Sequence, residues 1–224
     1  RLVGSEMCIR DRAYMIQISQ LKLPISHTEA DLRQKIKKTL RCGETLFSYE
    51  IIRQSLDARH KEDKKFVYTV HVKAENEKKI LKKVHGNNVM STNERHYSFP
   101  KPGDQPLETR PVIVGSGPAG LFCAWYLARA GYRPLVLERG EEADKRMETV
   151  NQFWKNGVLD PESNVQFGEG GAGTFSDGKL NTLVKDSSGR NREVLKRFTE
   201  AGADPEILYQ QKPHLGTDVL VNIV

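Results

Sequence analysis

The sequence predicts two folded regions, a small α+β domain followed by the opening β-α-β unit of a doubly wound α/β domain. Three observations predict this fold class. Alternating strands and amphipathic helices continue to residue 99, residues 100–110 are rich in Pro and polar residues, and a glycine-rich turn then joins an apolar strand to a helix. We therefore place one domain at residues 13–99, a linker at 100–110 and a second domain at 111–224.

Composition and charge exclude some classes of protein. Hydrophobic residues make up 38% and charged residues 29% of the 224 residues, a globular balance, and no apolar run approaches the roughly 18 residues of a membrane span. The net charge of +6 is uneven, because residues 1–110 carry +8 and residues 111–224 carry −2. This asymmetry predicts two domains with different roles.

The cysteines indicate a reducing compartment. Cys8, Cys42 and Cys123 form an odd set without a CxxC pair, which argues against a disulfide framework and a structural zinc site. The first residues also lack the pattern of a secretory signal. We therefore predict a cytoplasmic protein with no metal site and no membrane span.

Both ends of the chain look atypical. Residues 1–12 show no usable periodicity and resemble translated sequencing adapters, so we interpret them as a non-native tail. Residues 218–224 have the apolar pattern of a helix, and no capping residue follows them. We expect the chain to be a fragment, truncated at its C-terminus.

The first domain alternates strands with amphipathic helices. The predicted elements are a strand at 14–23, a helix capped by Thr28 and stopped by Cys42-Gly43, strands at 47–54 and 66–73, a helix at 75–84 and a strand at 89–99. The order β-α-β-β-α-β predicts a ferredoxin-like domain. That fold hosts unrelated activities and names no function.

The pattern of charged residues in this domain indicates a solvated surface. Its lysines alternate with the apolar stripe of the predicted helices, which favours a solvated face over a surface for nucleic acid. Metal-ligand spacing is absent from five histidines: His27, His60, His71, His85 and His96.

A dinucleotide-binding fingerprint opens the second domain. An apolar strand at 112–114, predicted to be buried, leads into the sequence GSGPAG at 115–120. A helix follows with a small, apolar inner face (Leu121, Ala124, Leu127 and Ala128), and Gly131 ends it. A second apolar strand at 135–137 ends at Glu138, 23 residues after Gly115 and close to the roughly 20 expected in a Rossmann unit.

Each part of the fingerprint has a physical role. Gly115 permits the tight turn, Gly117 lets the backbone approach a pyrophosphate, and Gly120 lets the helix lie close to the sheet. Pro118 suits the first helical position, and the free N–H groups that follow it attract phosphate oxygens. Glu138 is placed to accept both hydroxyls of an adenosine ribose and to repel a 2′-phosphate, which disfavours NADP. The fingerprint alone does not decide between FAD and NAD.

A second glycine-rich segment favours FAD. A helix of about 15 residues is predicted from Glu141, and the loop NVQFGEGGAGTFSDGKL follows at 164–180. Such a loop offers many backbone N–H donors, as a pyrophosphate and a flavin edge require. The alternative is a surface loop without a ligand.

At this point the sequence resembles a known family. GSGPAG with Glu138-Arg139-Gly140 resembles the FAD-binding half of two-dinucleotide-binding flavoproteins. The spacing of Gly170-Gly171, Ser176, Gly178 and Asn181 is similar to the FAD-touching loop of the fumarate-reductase-like and glutathione-reductase-like groups. From Met15 to Val224 the chain resembles a bacterial family of FAD-dependent dehydrogenases, the NAD(P)/FAD-dependent oxidoreductases.

The resemblance implies a set of cofactor-binding residues. The residues implied are Gly115, Ser116, Gly117, Pro118, Ala119 and Gly120 at the pyrophosphate, Glu138 at the ribose, Arg139 beside the adenosine, and Gly171, Ala172, Gly173, Thr174 and Ser176 at the diphosphate or flavin. Arg146 either reaches the pyrophosphate or is an exposed helix arginine. We treat Lys179 and His214 as structural, and no catalytic residue is assigned.

The expected function is that of an FAD-dependent oxidoreductase that passes a hydride through flavin N5, with NAD(P)H as a candidate electron donor in the full-length protein. The resemblance implies further segments that complete the flavin site, so we expect the fragment to bind FAD weakly or not at all and to be inactive. Two alternatives stay open: an NAD(H)-binding regulatory or RNA-associated protein, and an NAD dehydrogenase without flavin. The substrate and the oligomeric state are not predicted.

Overall fold

The computed structural model describes residues 14–43, 45–84, 86–93, 97–176, 178–180, 182 and 184–224. Several sequence predictions concern other residues and so lie outside this description: the tail at 1–12 with Cys8, the histidines His85 and His96, and Asn181 of the second glycine motif. None of the helices in the described part of the chain is long and apolar enough to cross a membrane.

The described residues form six strands and six α-helices, with short 3₁₀ turns at Ala172–Phe175 and Pro205–Leu208. The elements are β1 (Tyr14–Pro24), α1 (Glu29–Leu40), β2 (Phe47–Asp57), β3 (Lys65–Ala74), α2 (Glu77–Lys83), β4 (Val89–Asn93), β5 (Val112–Val114), α3 (Pro118–Arg129), β6 (Leu135–Leu137), α4 (Ala143–Asn156), α5 (Arg190–Glu200) and α6 (Thr217–Ile223).

The chain divides into two compact units. The first holds the described residues of Arg1–His96, with Ser187–Gly189 and Leu208–Gln211. The second holds the described residues of Tyr97–Asp186, Arg190–Ile207 and Lys212–Val224.

The first unit contains a four-stranded antiparallel sheet in the order β2-β3-β1-β4. Two helices, α1 and α2, connect its strands, and the order β-α-β-β-α-β is the order predicted from the sequence. Ile16, Val70 and Val72 of the two central strands are fully buried together with Ile36 of α1. One apolar core therefore joins the helices to the sheet.

Helix α1 begins where the sequence predicts. The Thr28 side chain accepts a hydrogen bond from Asp31 N, and the Asp31 carboxylate accepts one from Thr28 N, so both halves of a capping box are present. The helix ends earlier than predicted, because Arg41 adopts the left-handed conformation at φ 49°.

The last strand of this sheet is shorter than the sequence predicts. The alternating pattern predicts a strand over 89–99, whereas β4 ends at Asn93 after pairing with Tyr14 of β1. Tyr97, Ser98 and Phe99 have irregular backbone. Phe99 instead stacks its ring on Tyr126 of α3, with the ring centroids 4.1 Å apart, which accounts for its apolar character.

The second unit places a parallel strand pair beside α3. Val112, Ile113 and Val114 of β5 pair with Leu135, Val136 and Leu137 of β6. A separate cluster of buried residues lies further along the chain, formed by Ala203, Ile207, Leu215 and Leu220.

The prediction that β5 is buried is wrong. Val112 is 58% and Val114 85% exposed, and only Ile113, between them, is half-buried. Side chains alternate between the faces of a strand, and α3 contacts one face of the pair. The apolar residues of the other face, which include Leu135 and Leu137 of β6, are exposed. The predicted inner face of α3 is likewise half-buried at best, and its Ala128 is exposed.

Candidate functional site

The first glycine turn brings the start of α3 directly over the end of β5. Gly115 has φ +94°, a conformation that favours glycine, and its N–H donates to Leu137 O at 2.7 Å. A Cβ on Gly120 would collide with the Gly115 carbonyl oxygen. The close approach of helix and strand therefore requires glycine at position 120.

The N-terminus of α3 presents free backbone donors. Gly117 is the N-cap, Pro118 is the first helical residue, and the first helical hydrogen bond runs from Leu121 N to Gly117 O at 3.0 Å. Within the described residues, the N–H groups of Ala119 and Gly120 have no acceptor. Together with the positive end of the helix dipole, they suit an anion such as a phosphate.

The space around Gly117 has room for a ligand. Its φ of −68° is open to any residue, and an added Cβ would meet nothing within 4 Å. Neither the backbone conformation nor the packing therefore requires glycine at this position. A ligand that approaches the helix N-terminus would occupy the space that a Cβ on residue 117 would otherwise fill.

Glu138 turns its carboxylate towards the first glycine turn. Oε2 accepts from the N–H of Ser116 at 2.7 Å and from its hydroxyl at 2.8 Å. Oε1 accepts from the N–H groups of Arg139 and Gly140 at 3.0 and 2.9 Å. Partial burial raises the pKa of Glu138, but these hydrogen bonds outweigh burial and lower the pKa to about 2. The carboxylate is therefore charged at neutral pH.

The second glycine segment contacts the first. Gly170 N donates to Ser116 O at 2.9 Å. A Cβ on Gly171 would lie 3.1 Å from Pro118 Cδ and 3.3 Å from Gly117 Cα. The fold thus brings Gly171 to the N-terminus of α3, although the two are more than 50 residues apart in sequence.

The other residues predicted from the second segment have different environments. Thr174 is buried, and its side chain occupies the space beside Gly170. Ala172, Gly173 and Ser176 are exposed, and the Ser176 hydroxyl donates to Gly173 O at 3.1 Å. A cofactor role for these residues stays a prediction.

The two arginines of the predicted site differ in exposure. The Arg139 side chain is exposed and pairs with Glu162 at 2.8 Å, and its contact with an adenosine stays a prediction. Arg146 has no exposed surface. The reading of Arg146 as an exposed helix arginine is wrong, because its guanidinium donates to backbone carbonyls of the loop at 164–169.

Glu169, which the sequence did not single out, and Gly140 also shape the site. Glu169 accepts from Ala143 N at 2.8 Å through its carboxylate and so caps α4 from the loop. A Cβ on Gly140 would collide with Gly168 Cα. An acid between glycines is a weak signal for a helix cap that lies 26 residues away in sequence, so neither contact was predictable from spacing alone.

Lys179 and His214 lie opposite each other in a short antiparallel bridge, flanked by hydrogen bonds from Leu180 N to Pro213 O and from Leu215 N to Gly178 O. Both side chains are exposed, and the structural reading of the pair stands as a prediction. Across the described residues, no group of three or more His, Cys, Asp or Glu side chains is arranged to hold a metal ion.

Family models match two parts of the chain. Residues 113–166, which include the first glycine turn, Glu138 and α4, match the model of an NAD(P)-binding Rossmann-like domain. Over these residues the second unit is therefore similar to a Rossmann-like domain. Residues 15–73 match a domain of unknown function (DUF8436).

Individual relatives match over different lengths. An uncharacterized protein of Clostridium beijerinckii is 46% identical over 210 residues, which are 93% of this chain but 39% of that protein. An L-glutamate oxidase precursor of Streptomyces viridosporus is 41% identical over 69 residues, 29% of this chain and 10% of that protein. A thiamine thiazole synthase of Saccharolobus solfataricus is 40% identical over 70 residues, 31% of this chain and 22% of that protein. The chain therefore spans well under half the length of these relatives.

Proposed function

We propose that the second unit binds the adenosine diphosphate half of FAD, and that the chain is part of a longer FAD-dependent oxidoreductase. The observation that carries this proposal is the position of Glu138. Its charged carboxylate lies beside the first glycine turn, 2.7 Å from Ser116 N, where free helix N–H groups and an acid meet.

The residues present suit the two halves of an adenosine diphosphate. The N–H groups of Ala119 and Gly120 bind a diphosphate oxygen, and the open space at Gly117 admits it. When the Ser116 hydroxyl rotates away from Oε2, Glu138 accepts a hydrogen bond from a ribose hydroxyl in its place, and the carboxylate repels a 2′-phosphate, with Arg139 beside the adenosine. A bound flavin supplies hydride transfer, while the protein binds and orients it.

The second glycine segment supports FAD over a simple NAD site. Gly171 lies against Gly117 and Pro118, so one ligand can contact both segments. The name of the Streptomyces relative, an oxidase, supports a redox role. NAD(P)H is the proposed electron donor in the longer protein, and the substrate is left open.

We further propose that the first domain, at 13–99, is ferredoxin-like and that residues 100–110 link it to the FAD domain at 111–224. The antiparallel order β2-β3-β1-β4 and the two helices support the first assignment. Free cysteines at Cys42 and Cys123 support a cytoplasmic location.

The proposal that this chain is a fragment rests on its exposed strands. Parallel sheets are normally covered on both faces, yet Val112, Val114 and Leu137 are exposed. The missing cover would belong to the further chain that the Clostridium relative contains. We therefore expect the isolated chain to bind FAD weakly and to be inactive.

An NAD(H)-binding protein without flavin is the second candidate. The matching model over residues 113–166 is described by NAD(P) binding and not by FAD. The first glycine turn and Glu138 serve either dinucleotide, because both contain the adenosine diphosphate group.

Ligand titrations of the 224-residue chain test these proposals. ADP at millimolar concentration should shift the NMR signals of the Ala119 and Gly120 amides, and FAD should displace ADP at lower concentration than NADH does. No shift with any of these ligands would overturn the dinucleotide site, and tighter binding of NADH would favour the second candidate. Saturating yellow flavin in the purified chain would refute the fragment proposal.

A further inference from the structure

Arg146 is a cation buried in the second unit. Its side chain has no exposed surface, and it projects from α4 into the loop that precedes the second glycine segment. Burial lowers the pKa of Arg146, while the nearby Glu138 carboxylate acts in the opposite direction. A buried cation is costly unless polar groups surround it, so its partners decide its role.

The partners are three backbone carbonyls of one loop. Nε donates to Asn164 O at 2.8 Å, Nη2 to Val165 O at 3.0 Å and Nη1 to Glu169 O at 2.5 Å. A guanidinium offers its donors in a rigid planar fork, whereas an ammonium is a compact point charge. The fork therefore holds the start and the end of the loop at a fixed separation.

The packing around the guanidinium confirms how closely the loop follows it. A Cβ on Gly168 would lie 2.6 Å from Arg146 Cδ, and Gly168 has φ +118°, a conformation that favours glycine. The Phe175 ring lies on another side, with its centroid 4.7 Å from Arg146 Cζ. The loop backbone therefore packs closely around the Arg146 side chain.

The loop ends in the segment that contacts α3. Directly after Glu169, Gly170 N donates to Ser116 O, and Gly171 lies against Pro118. The capping bond from Ala143 N to the Glu169 carboxylate anchors the same point to α4. The position of Gly170 and Gly171 at the helix N-terminus therefore depends on Glu169, whose carbonyl oxygen accepts a hydrogen bond from Arg146.

We propose that Arg146 is a positioning residue, whose planar fork fixes residues 164–169 so that Gly170 and Gly171 stay against the N-terminus of α3. This role replaces direct contact with the pyrophosphate. The inference rests on the proposed dinucleotide site, since the segment it positions forms one wall of that site.

The test compares Arg146→Lys with Arg146→Met in the 224-residue chain. Lysine keeps the positive charge but lacks the fork. If the charge itself attracts the diphosphate, Lys should retain ADP affinity and Met should lose it. If the fork positions the loop, both variants should bind ADP about tenfold more weakly, as the loss of a hydrogen bond from a charged group predicts. In both, protease cleavage within 164–171 should also become faster.

The matched control is Arg129→Lys, which changes an exposed arginine that stacks on Trp125 in the last turn of α3. ADP affinity should be unchanged in this variant. If the wild-type chain binds no ADP, the proposed function fails. If it binds and Arg146→Lys retains wild-type affinity and loop protection, the positioning role alone is overturned.

Hydrogen exchange in the wild-type chain gives a second measurement that does not depend on the variants folding. The amides of Gly170 and Gly171 and the Arg146 Nε proton should become protected together when ADP binds. Protection of the Ala119 and Gly120 amides without any change at Arg146 Nε and Gly170 would contradict the proposal.

Discussion

At the scale of single residues, Gly117 and Gly120 lie three positions apart in one turn and should respond oppositely to the same change. Gly120→Ala places a methyl group against the Gly115 carbonyl and should cost about 3 kcal/mol of unfolding free energy. Gly117→Ala places it in open space at an ordinary φ, so stability should stay within about 1 kcal/mol. Urea unfolding followed by tryptophan fluorescence measures both, since Trp125 and Trp154 both lie in the second unit.

The same pair separates folding from binding. Gly117→Ala should weaken ADP binding without loss of stability, because the methyl group fills the space proposed for the diphosphate. Wild-type ADP affinity in Gly117→Ala would mean that the ligand does not lie at this turn.

Glu138 should give the second unit a dependence on acid pH. Its pKa falls from 4.5 to about 2 in the folded chain, so the folded state holds the proton less tightly than the unfolded state does. The stabilisation is complete above pH 4.5 and is lost as the pH falls towards about 2. Glu138→Gln should therefore flatten the decline of the unfolding free energy over this range.

The control for this prediction is Glu162→Gln, which removes an exposed carboxylate that pairs with Arg139. It should leave the acid decline unchanged. An identical pH profile in wild type and Glu138→Gln, from urea titrations at each pH, would show that the four hydrogen bonds to Glu138 do not depress its pKa.

At this scale the sequence predicts contacts that depend on residue type and misses those that depend on the backbone. Gly115 and Gly120 were predictable because a tight turn favours a positive φ at Gly115 and the close helix approach excludes a Cβ on Gly120. The partners of Arg146 were not, because its acceptors are backbone carbonyls, which every residue carries.

At the scale of secondary-structure elements, the start of α1 is specified locally. Thr28 and Asp31 exchange hydrogen bonds across the first turn, at 2.8 Å from Thr28 N and 3.3 Å to Thr28 Oγ1. Thr28→Ala should cost about 1 kcal/mol, measured by hydrogen exchange of the α1 amides. Ser26→Ala, in the exposed turn before the cap, is the control and should have no effect. Equal exchange rates in the two variants would contradict a stabilising cap.

Strand β1 shows what an irregular pattern can predict. The residues that it contributes to the apolar core alternate at Ile16 and Ile18, then skip one position to Leu21 and Leu23. The pairing register with β3 shifts at that skip, and Gln20 has φ 59°, so the extra residue forms a bulge. The interrupted alternation contained this information, whereas the end of β4 at Asn93 depends on pairing with β1, which local propensity does not encode.

At the scale of the whole molecule, the sequence predicts that β5 is apolar but not what covers it. Apolar strands of parallel sheets are normally buried on both faces, so burial was the natural prediction. The prediction fails because a strand is buried by its neighbours, and among the described elements α3 is the main one that contacts this pair. The exposure of the apolar side chains Val112 and Val114 supports the proposal that further chain covers them.

The two faces of β5 should therefore differ in their tolerance of charge. Ile113 faces α3, since its Cγ2 lies 3.4 Å from where a Cβ on Gly120 would be. Ile113→Lys should cost at least about 2 kcal/mol, because a charge would be desolvated beneath the helix. Val114→Lys should change the unfolding free energy by less than about 0.5 kcal/mol, because that side chain is 85% exposed. Urea unfolding followed by tryptophan fluorescence compares them, and a large loss in Val114→Lys would show that the isolated chain already covers this face.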